Sequence, residues 1–513
     1  MLLLQNATLI DGTGAPPWLG NLLIDGDRIA SLGNADPADA AKIDCTGLAA
    51  APGFIDIHSH SDLQVLENDR AKADQGVTTE VVGNCGFSPY PFLNDPFTKG
   101  RSALHEFAGG ILFGSETDWG WQSAGEYIEE IHRRARLSNV LSLTGHGSLR
   151  IAHMGHRQGP PEPKEMDAME RALAECFSEG SCGLSTGLMY APGSSAPREE
   201  LIRLCRVVAK HGKVYTTHMR SYSHDLLESI EEQIDLARES GCRLQISHLQ
   251  TVGRANWEKQ ARALELLERA RLEGIDVEFD SYPYLAGSTV LTQLLPQRAM
   301  DGGIAQLLNL LADPAERQAI ARATTAGMAQ EWSDIFVASV GSERNRSLAG
   351  RSFAEIAAER EIAAIDAALD LLIEERGIVN ILSFNQSDEN LERLLTHPLC
   401  TVISDGFYVK GRPHPRLYGT FPFLLGEISR RRGWLTISEA VHKITAKPAA
   451  RFDLKDRGRL AAGFVADIVL FDPVLVEGRA SYEDPKVPPE GIAMVFRGGR
   501  QITPNTRSMN HVD

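Results

Sequence analysis

The stretch Phe54-Ile55-Asp56-Ile57-His58-Ser59-His60 decides the fold, because an apolar run there ends in two imidazoles. Pro52 and Gly53 precede the run and polar residues follow it, which is typical of a short buried strand that opens into a loop. Side chains two residues apart on an extended segment point the same way, so His58 and His60 can bind one metal ion. The stretch predicts paired nitrogen ligands at a strand's C-terminal end, although two histidines can also be ordinary loop residues.

The composition indicates a globular protein that binds a small molecule. The chain has 513 residues, of which 43% are hydrophobic and 23% charged, so we expect one large domain and a smaller one. A formal charge of -16 argues against nucleic acid and anionic membranes as partners. Seven scattered cysteines do not form a secreted disulfide framework. The apolar N-terminal run is too short for a signal peptide, and we therefore expect a cytoplasmic location.

Strand-like runs alternate with helical patterns through the middle of the chain, which is the rhythm of an α/β barrel. Two long helical patterns cover residues 223–239 and 255–273. The candidate strands end at His58, Cys85, 144–146, 183–186, His218, His248, 280–282 and 404–405. Eight such ends favour a distorted TIM-like (β/α)8 barrel. A ninth strand-like run at residues 378–384 leaves the seventh barrel position open.

Short strand-like runs with Asp-Gly turns, at Asp11-Gly12 and Asp25-Gly26, open the chain, and similar short strand-like runs occur near its end, at residues 466–472 and 494–500. We expect residues 1–50 and 451–513 to build one small β-sandwich domain, and residues 51–450 to form the catalytic barrel. The region around 293–376 is too long for a normal crossover and predicts an insertion near the barrel mouth. The sequence leaves the oligomeric state open.

Side chains at the C-terminal ends of barrel strands are the candidates for chemistry. His218 and His248 each end a predicted strand, as His58 does. Together with His60 they make four histidines at strand ends, which are hard to explain as structural residues. Cys85 lies in a Gly-Asn-Cys-Gly turn that leaves its sulfur open, although buried cysteines are commonly inert. Zinc accepts nitrogen and sulfur ligands, and Cys85, His218 and His248 would leave a fourth position for water.

Asp405 follows a late strand and precedes a glycine. It either caps a turn or acts as a general base that takes a proton from water and passes it to a leaving nitrogen.

Several motifs carry a family resemblance that extends from the N-terminal β segment to about residue 472. They are the Gly53-to-His60 stretch, the Gly76-Val77-Thr78-Thr79 run before Gly83-Asn84-Cys85-Gly86, the segment 183–190, Tyr282-Pro283-Tyr284 with 286–289, and His414-Pro415-Arg416 with 418–421. The chain resembles the N-acyl-D-amino-acid deacylases, or D-aminoacylases, of the amidohydrolase superfamily. The resemblance implies tight zinc binding by Cys85, His218 and His248. It also implies a second, weaker site at His58 and His60 that shares the cysteine.

The same resemblance implies roles for residues around the substrate. Asp405 would be the catalytic acid/base, Arg416, Tyr282 and Ser288 would hold the substrate carboxylate, and Tyr190 would face the substrate. The segment 181–190 contains no lysine, so Cys85 replaces the carboxylated lysine that bridges metals in many amidohydrolases. Many deacylases of the family have a lysine where this chain has Gln250, which puts a tight free-carboxylate specificity in doubt.

The sequence thus predicts a zinc-dependent hydrolase that converts N-acyl-D-amino acids, as small-molecule substrates, into a carboxylate and a D-amino acid. One alternative is a related dipeptidase, lactamase or amidase that acts on a neutral or larger amide. A second is a barrel without catalytic activity that serves as a scaffold.

Overall fold

Parallel strands that close into a barrel form the centre of the protein, as seen in a computed structural model that describes residues 1–94, 100–112 and 117–503. The strands of the described chain are β1 (Leu2–Leu9), β2 (Trp18–Asp25), β3 (Arg28–Gly33), β4 (Ala41–Asp44), β5 (Ala49–Pro52), β6 (Phe54–Asp56), β7 (Ser59–His60), β8 (Val77–Val82), β9 (Asn139–Ser142), β10 (Thr144–Gly145), β11 (Gly183–Gly187), β12 (Val214–His218), β13 (Arg243–Ile246), β14 (Val277–Ser281), β15 (Ala286–Val290), β16 (Ile335–Val340), β17 (Val379–Phe384), β18 (Cys400–Val402), β19 (Gly406–Phe407), β20 (Ile468–Phe471), β21 (Ile492–Arg497) and β22 (Arg500–Gln501).

The α-helices of the same residues are α1 (Gln64–Glu67), α2 (Gly100–Ala108), α3 (Ala124–Arg134), α4 (His146–Met154), α5 (Pro163–Ser178), α6 (Arg198–Lys210), α7 (Leu226–Ser240), α8 (Lys259–Leu272), α9 (Gly303–Ala312), α10 (Pro314–Gly327), α11 (Phe353–Arg360), α12 (Ala364–Glu374), α13 (Asp388–Thr396), α14 (Arg416–Phe423), α15 (Ile437–Lys443) and α16 (Ala446–Arg451). Short 3-10 turns connect several of them, and a π-helical segment, Leu424–Arg431, continues α14.

The barrel follows the predicted order of strands. β6, β8 and β9 pair in parallel, and β10, β11, β12, β13, β14 and β18 continue the ring. The parallel pair of β7 with β19 brings the first and last barrel strands together. Each of these two strands is interrupted, at residues 57–58 and 403–405, and the backbone N–H of Asp405 donates to the carbonyl of His58 across the break at 2.9 Å. The prediction of a distorted TIM-like barrel is confirmed.

Helices α5 to α8 cover the outside of the barrel because each presents one apolar face. Helix α5 begins with Pro163 at its first position and a capping box between Glu162 and Glu165. Its buried residues recur every three or four positions and pack in one core with the barrel strands β11 to β14. Helices α7 and α8 lie within four residues of the patterns predicted from the sequence at 223–239 and 255–273.

The predicted ninth strand, at residues 378–384, does not belong to the barrel. It forms β17, which pairs antiparallel with β15 and β16 in a three-stranded sheet between β14 and β18. Helices α9 to α12 pack on this sheet around a separate apolar core. β14 therefore takes the seventh barrel position, and the additional layer spans residues 286–384 at the barrel mouth.

Strands from both ends of the chain lie in one eight-stranded sheet beside the barrel, in the order β22-β21-β20-β5-β1-β2-β3 with β4 against β1. The sheet divides at β1, whose first half pairs with β4 and whose second half pairs with β5. Strand β20 joins the two chain ends, since it pairs with β5 on one side and with β21 on the other. Among the described residues, no helix is long and apolar enough to cross a membrane.

Candidate metal centre and active site

The predicted catalytic side chains converge at the C-terminal ends of the barrel strands. The six residues come from five strand ends, all are buried, and five of them line one cavity of about 820 Å³. They are His58, His60, Cys85, His218, His248 and Asp405. This convergence follows from the parallel barrel, in which successive strands end at the same rim.

A tight turn presents Cys85 to the cavity. Gly83 and Gly86 on either side both have positive φ values, of 80° and 79°. A Cβ atom on Gly83 would lie 2.2 Å from the carbonyl oxygen of Leu143, so only glycine fits this approach of the backbone. Ser185 fixes the turn, since its hydroxyl donates to the Gly83 carbonyl at 2.5 Å and accepts from the Gly86 N–H at 3.0 Å.

Cys85, His248 and Asp405 share an uncommon backbone conformation. Their φ values are 54°, 35° and 49°, in the left-handed region that side chains other than glycine seldom adopt. Such strain is retained where the surrounding structure holds it, and it concentrates at functional sites. Here it aims a sulfur, an imidazole and a carboxylate from three different strands into the same cavity.

The donor atoms of one group are spaced for a metal ion. Cys85 Sγ lies 3.3 Å from His58 Nε2 and 3.5 Å from His248 Nε2. Ligand bonds of 2.0 to 2.3 Å in a tetrahedral zinc site place nitrogen and sulfur donors roughly 3.5 Å apart. His218 is adjacent, with its ring centroid 4.6 Å from that of His248, and neither of its buried ring nitrogens has a hydrogen-bond partner in the described structure. Nitrogen and sulfur donors of this kind fit zinc.

A second group shares His58 with the first. The Nε2 atoms of His58 and His60 each lie 3.4 Å from Asp405 Oδ1. From the sequence, His58 was expected in the second group only, with Cys85 as the shared ligand. In the structure, His58 lies within reach of both groups.

Burial and charge set the protonation of these ligands. Burial lowers the pKa of His218 to about 3 and lowers the pKa of His248 well below its usual value. Both imidazoles are therefore neutral near pH 7, as metal ligands must be. Burial also lowers the pKa of His58, but the neighbouring Cys85 and Asp405 outweigh it and raise that pKa well above its usual value.

Asp280 supports the metal ligands and was not predicted from the sequence. Its Oδ1 accepts from the backbone N–H of His248 at 2.6 Å and lies 3.4 Å from Nδ1 of His58. Gln245 donates to the other carboxylate oxygen at 3.0 Å. Carboxylates behind metal-bound histidines commonly orient the imidazole rings. Its position at the end of β14, one of the predicted strands, was the available signal.

The predicted carboxylate-binding residues gather around Arg416. Its guanidinium Cζ lies 4.5 Å from the centroid of the Tyr282 ring, and its Nη2 donates to the backbone carbonyl of Ser288 at 3.3 Å. Arg416 Nη1 forms an ion pair with Asp405 Oδ2 at 2.9 Å. Within the described chain, the buried Nε of Arg416 has no hydrogen-bond partner, so the guanidinium can still donate to a ligand.

His414 and a buried lysine cluster hold this arrangement in place, and neither was predicted. His414 Nδ1 accepts from the Arg416 backbone N–H at 3.0 Å, and its Nε2 lies 2.9 Å from the Ala286 carbonyl. Lys72 pairs with Asp56 at 2.5 Å next to the break in the last barrel strand. Two of their contacts, of His414 with Ala286 and of Lys72 with Ser404, join residues 128 and 332 positions apart in the sequence, so no local pattern marks them.

The two remaining predicted residues, Gln250 and Tyr190, also line the cavity. Gln250 Oε1 accepts from the hydroxyl of Tyr282 at 3.0 Å. The Tyr190 hydroxyl lies 3.2 Å from Thr289 Oγ1, and its ring centroid is 4.8 Å from that of His218. Since Gln250 carries no charge, Arg416 is the one lysine or arginine among the described residues that line this cavity.

The ion pair with Arg416 keeps Asp405 ionised. Burial alone would raise the pKa of this carboxyl, but Arg416 and the histidines around it lower that pKa well below its usual value. A carboxylate beside a group of metal ligands can accept a proton from a nucleophilic water molecule.

The chain is similar to known proteins over nearly its whole length. A profile of the amidohydrolase family matches residues 41–503. An N-acyl-D-glutamate deacylase of Alcaligenes xylosoxydans xylosoxydans is 35% identical over 98% of this chain and 93% of its own length. The solved structure of an N-acyl-D-glutamate deacylase from Bordetella bronchiseptica, complexed with zinc and a phosphonate mimic of the tetrahedral intermediate, superimposes with a TM-score of 0.83 at 32% identity, over 98% of this chain and 96% of that one. A D-aminoacylase structure described by one-metal activation and second-metal attenuation has a TM-score of 0.81 at 31% identity, over the same shares of the two chains.

Proposed function

Because the chain belongs to the amidohydrolase family, we propose that it is a zinc-dependent deacylase that hydrolyses N-acyl-D-amino acids to a carboxylate and a D-amino acid. The observation that carries the proposal is the ion pair between Arg416 and Asp405, in the same cavity as the metal-ligand group. Arg416 would bind the carboxylate of the substrate, Asp405 would lie at the amide nitrogen, and the metal site would lie at the acyl carbonyl, which is the covalent order of an N-acyl amino acid.

Cys85, His218 and His248 would hold the tight zinc ion, and His58 and His60 would contribute to a second, weaker site. The second site is supported by the relative with one-metal activation and second-metal attenuation. Zinc, when bound, polarises the acyl carbonyl and lowers the pKa of a water molecule to about 7.

Asp405 would manage the protons of the reaction. It accepts one proton from water as the water oxygen bonds to the acyl carbon. It then donates that proton to the amide nitrogen as the carbon–nitrogen bond breaks, because an unprotonated amine is a poor leaving group. The products are the carboxylate of the acyl group and the free D-amino acid.

Arg416, Tyr282 and Ser288 would hold the α-carboxylate of the substrate. A guanidinium can donate two parallel hydrogen bonds to a carboxylate, which fixes its orientation as well as its position. Tyr190 would face the substrate from the other side of the metal group, beside His218. Gln250 would hold the hydroxyl of Tyr282 toward the substrate without adding a charge.

A substrate panel combined with metal analysis tests the proposal. The purified protein should contain zinc and should hydrolyse N-acetyl-D-amino acids, with the L-enantiomers as matched controls. Activity confined to dipeptides, cyclic amides or neutral amides would refute the deacylase assignment in favour of a related amidohydrolase. A zinc-loaded protein inactive on the whole panel would favour a scaffold role.

We also propose a cytoplasmic location. All seven cysteines lie in the described part of the chain and none forms a disulfide, which supports a reducing compartment.

A further inference from the structure

A second cavity of about 1010 Å³ adjoins the catalytic cavity and has no role in the chemistry described above. Most of its lining is apolar, with side chains from the insertion facing those of helix α2 and the loop after β11. They include Phe107, Met189, Val290, Leu295, Met300 and Ile304.

The two cavities share a wall close to the metal ligands. Phe87, Ile111, Met189, Tyr190 and Gln293 line both of them. The amide of Gln293 donates to Met189 Sδ at 3.2 Å, and both side chains are unbranched and only half-buried. The barrier at this point is a contact between two flexible side chains, which can separate at little cost.

The direction of the substrate follows from its own covalent order. The scissile carbonyl lies between the α-carboxylate and the acyl chain, so a substrate with its carboxylate on Arg416 and its carbonyl at the metal ligands points its acyl chain away from Arg416. Tyr190 lies next to His218, one of the proposed metal ligands, and in the shared wall. Arg416 lines the catalytic cavity alone.

We propose that the second cavity binds the aliphatic acyl chain of the substrate, so that the protein prefers medium-chain and long-chain N-acyl-D-amino acids to N-acetyl ones. The inference rests on the proposed deacylase function and names its substrate class. Apolar side chains of methionine, leucine, isoleucine and valine bind methylene groups without orienting polar atoms. The stacked rings of Phe87 and Phe107, 4.7 Å apart, provide a flat apolar surface at the entrance.

A series of substrates with one D-amino acid and acyl chains of increasing length tests the inference. If each added methylene is buried, kcat/KM should rise about three- to fourfold per methylene from acetyl to octanoyl. Ile304→Trp, which fills the cavity, should flatten the series and leave hydrolysis of the acetyl substrate within twofold of wild type. Asn309→Trp places the same side chain on the exposed face of the same helix, α9, and should keep the rise.

Met300→Trp fills the cavity from another segment and serves if Ile304→Trp does not fold. Binding of the products gives an independent readout, since octanoate should inhibit wild type far better than acetate, and the cavity-filling variants should lose this difference. A wild-type series without a rise would overturn the inference while acetyl hydrolysis upholds the deacylase function. If the cavity-filling variants flattened a series of substrates that differ in the D-amino acid side chain, and not the acyl-chain series, that result would also overturn the inference. Absence of hydrolysis at every chain length would overturn both.

Discussion

Replacing Asp405 with asparagine separates the chemistry of this site from its metal binding. The substitution keeps the shape of the side chain but removes the carboxylate that we propose accepts and donates the proton. Asp405 is not among the proposed ligands of the tight zinc ion, Cys85, His218 and His248, so this ion should remain. General acid–base catalysis contributes about 100- to 10,000-fold, and kcat should fall by an amount in this range.

The same variant should lose stability, because it leaves the buried guanidinium of Arg416 without its counter-ion. At 2.9 Å and an effective dielectric constant of about 20, the pair attracts with about 6 kcal/mol. The cost of burying both charges offsets part of this attraction, and Arg416 retains its contacts with Tyr282 and Ser288. We expect a net loss of about 3 kcal/mol, the lower end of the range for breaking one side of a buried pair.

Three measurements on Asp405→Asn check this reasoning: kcat on an N-acyl-D-amino acid, zinc content after dialysis, and Tm. The exposed carboxylate of Asp301, in the insertion, provides a matched control, and Asp301→Asn should match wild type in all three. An Asp405→Asn enzyme with near wild-type kcat would refute the acid/base assignment. Loss of the tight zinc would show instead that Asp405 is needed to hold the metal.

Three further predictions concern other residues. Cys85→Ala should lower the zinc content after dialysis, measured by elemental analysis, whereas full retention of tight zinc would exclude Cys85 as a ligand. Glu200→Gln removes the carboxylate whose Oε2 lies 2.5 Å from Nη1 of the buried Arg150, and it should lower the free energy of unfolding by about 3 kcal/mol. Burial alone would raise the pKa of Glu200, but His146 and Arg150 outweigh it and lower that pKa. The contribution of Glu200 to stability is therefore present above a pH of about 4.3 and is lost as the pH falls through the folded-state pKa. Measured from pH 3 to 7, the Tm of Glu200→Gln should fall less at acid pH than that of wild type. Gln250→Lys adds a cation near the carboxylate site and should lower KM about fivefold for acidic D-amino acid substrates, and an unchanged KM would argue against this position in substrate binding.

Much of the barrel could be predicted because its signals are local. Apolar runs that end in polar or chemically special residues marked each barrel strand, and Cys85 and His248 could be named as candidates from their positions at those ends. The ninth run, β17, could not be assigned in this way. Its apolar pattern is the same as that of a barrel strand, and only its pairing with β15 and β16 shows that it belongs to the insertion.

The sequence by itself determined which strand ends carry the candidate ligands, since the two-residue period of a strand and the turn around Cys85 are properties of neighbouring residues. Only the tertiary structure decided which side chains meet. His58 reaches both metal-ligand groups, Asp280 lies behind two histidines, and Arg416 pairs with Asp405. These distances depend on how the barrel closes across its interrupted first and last strands, and closure is set by packing between residues far apart in the chain.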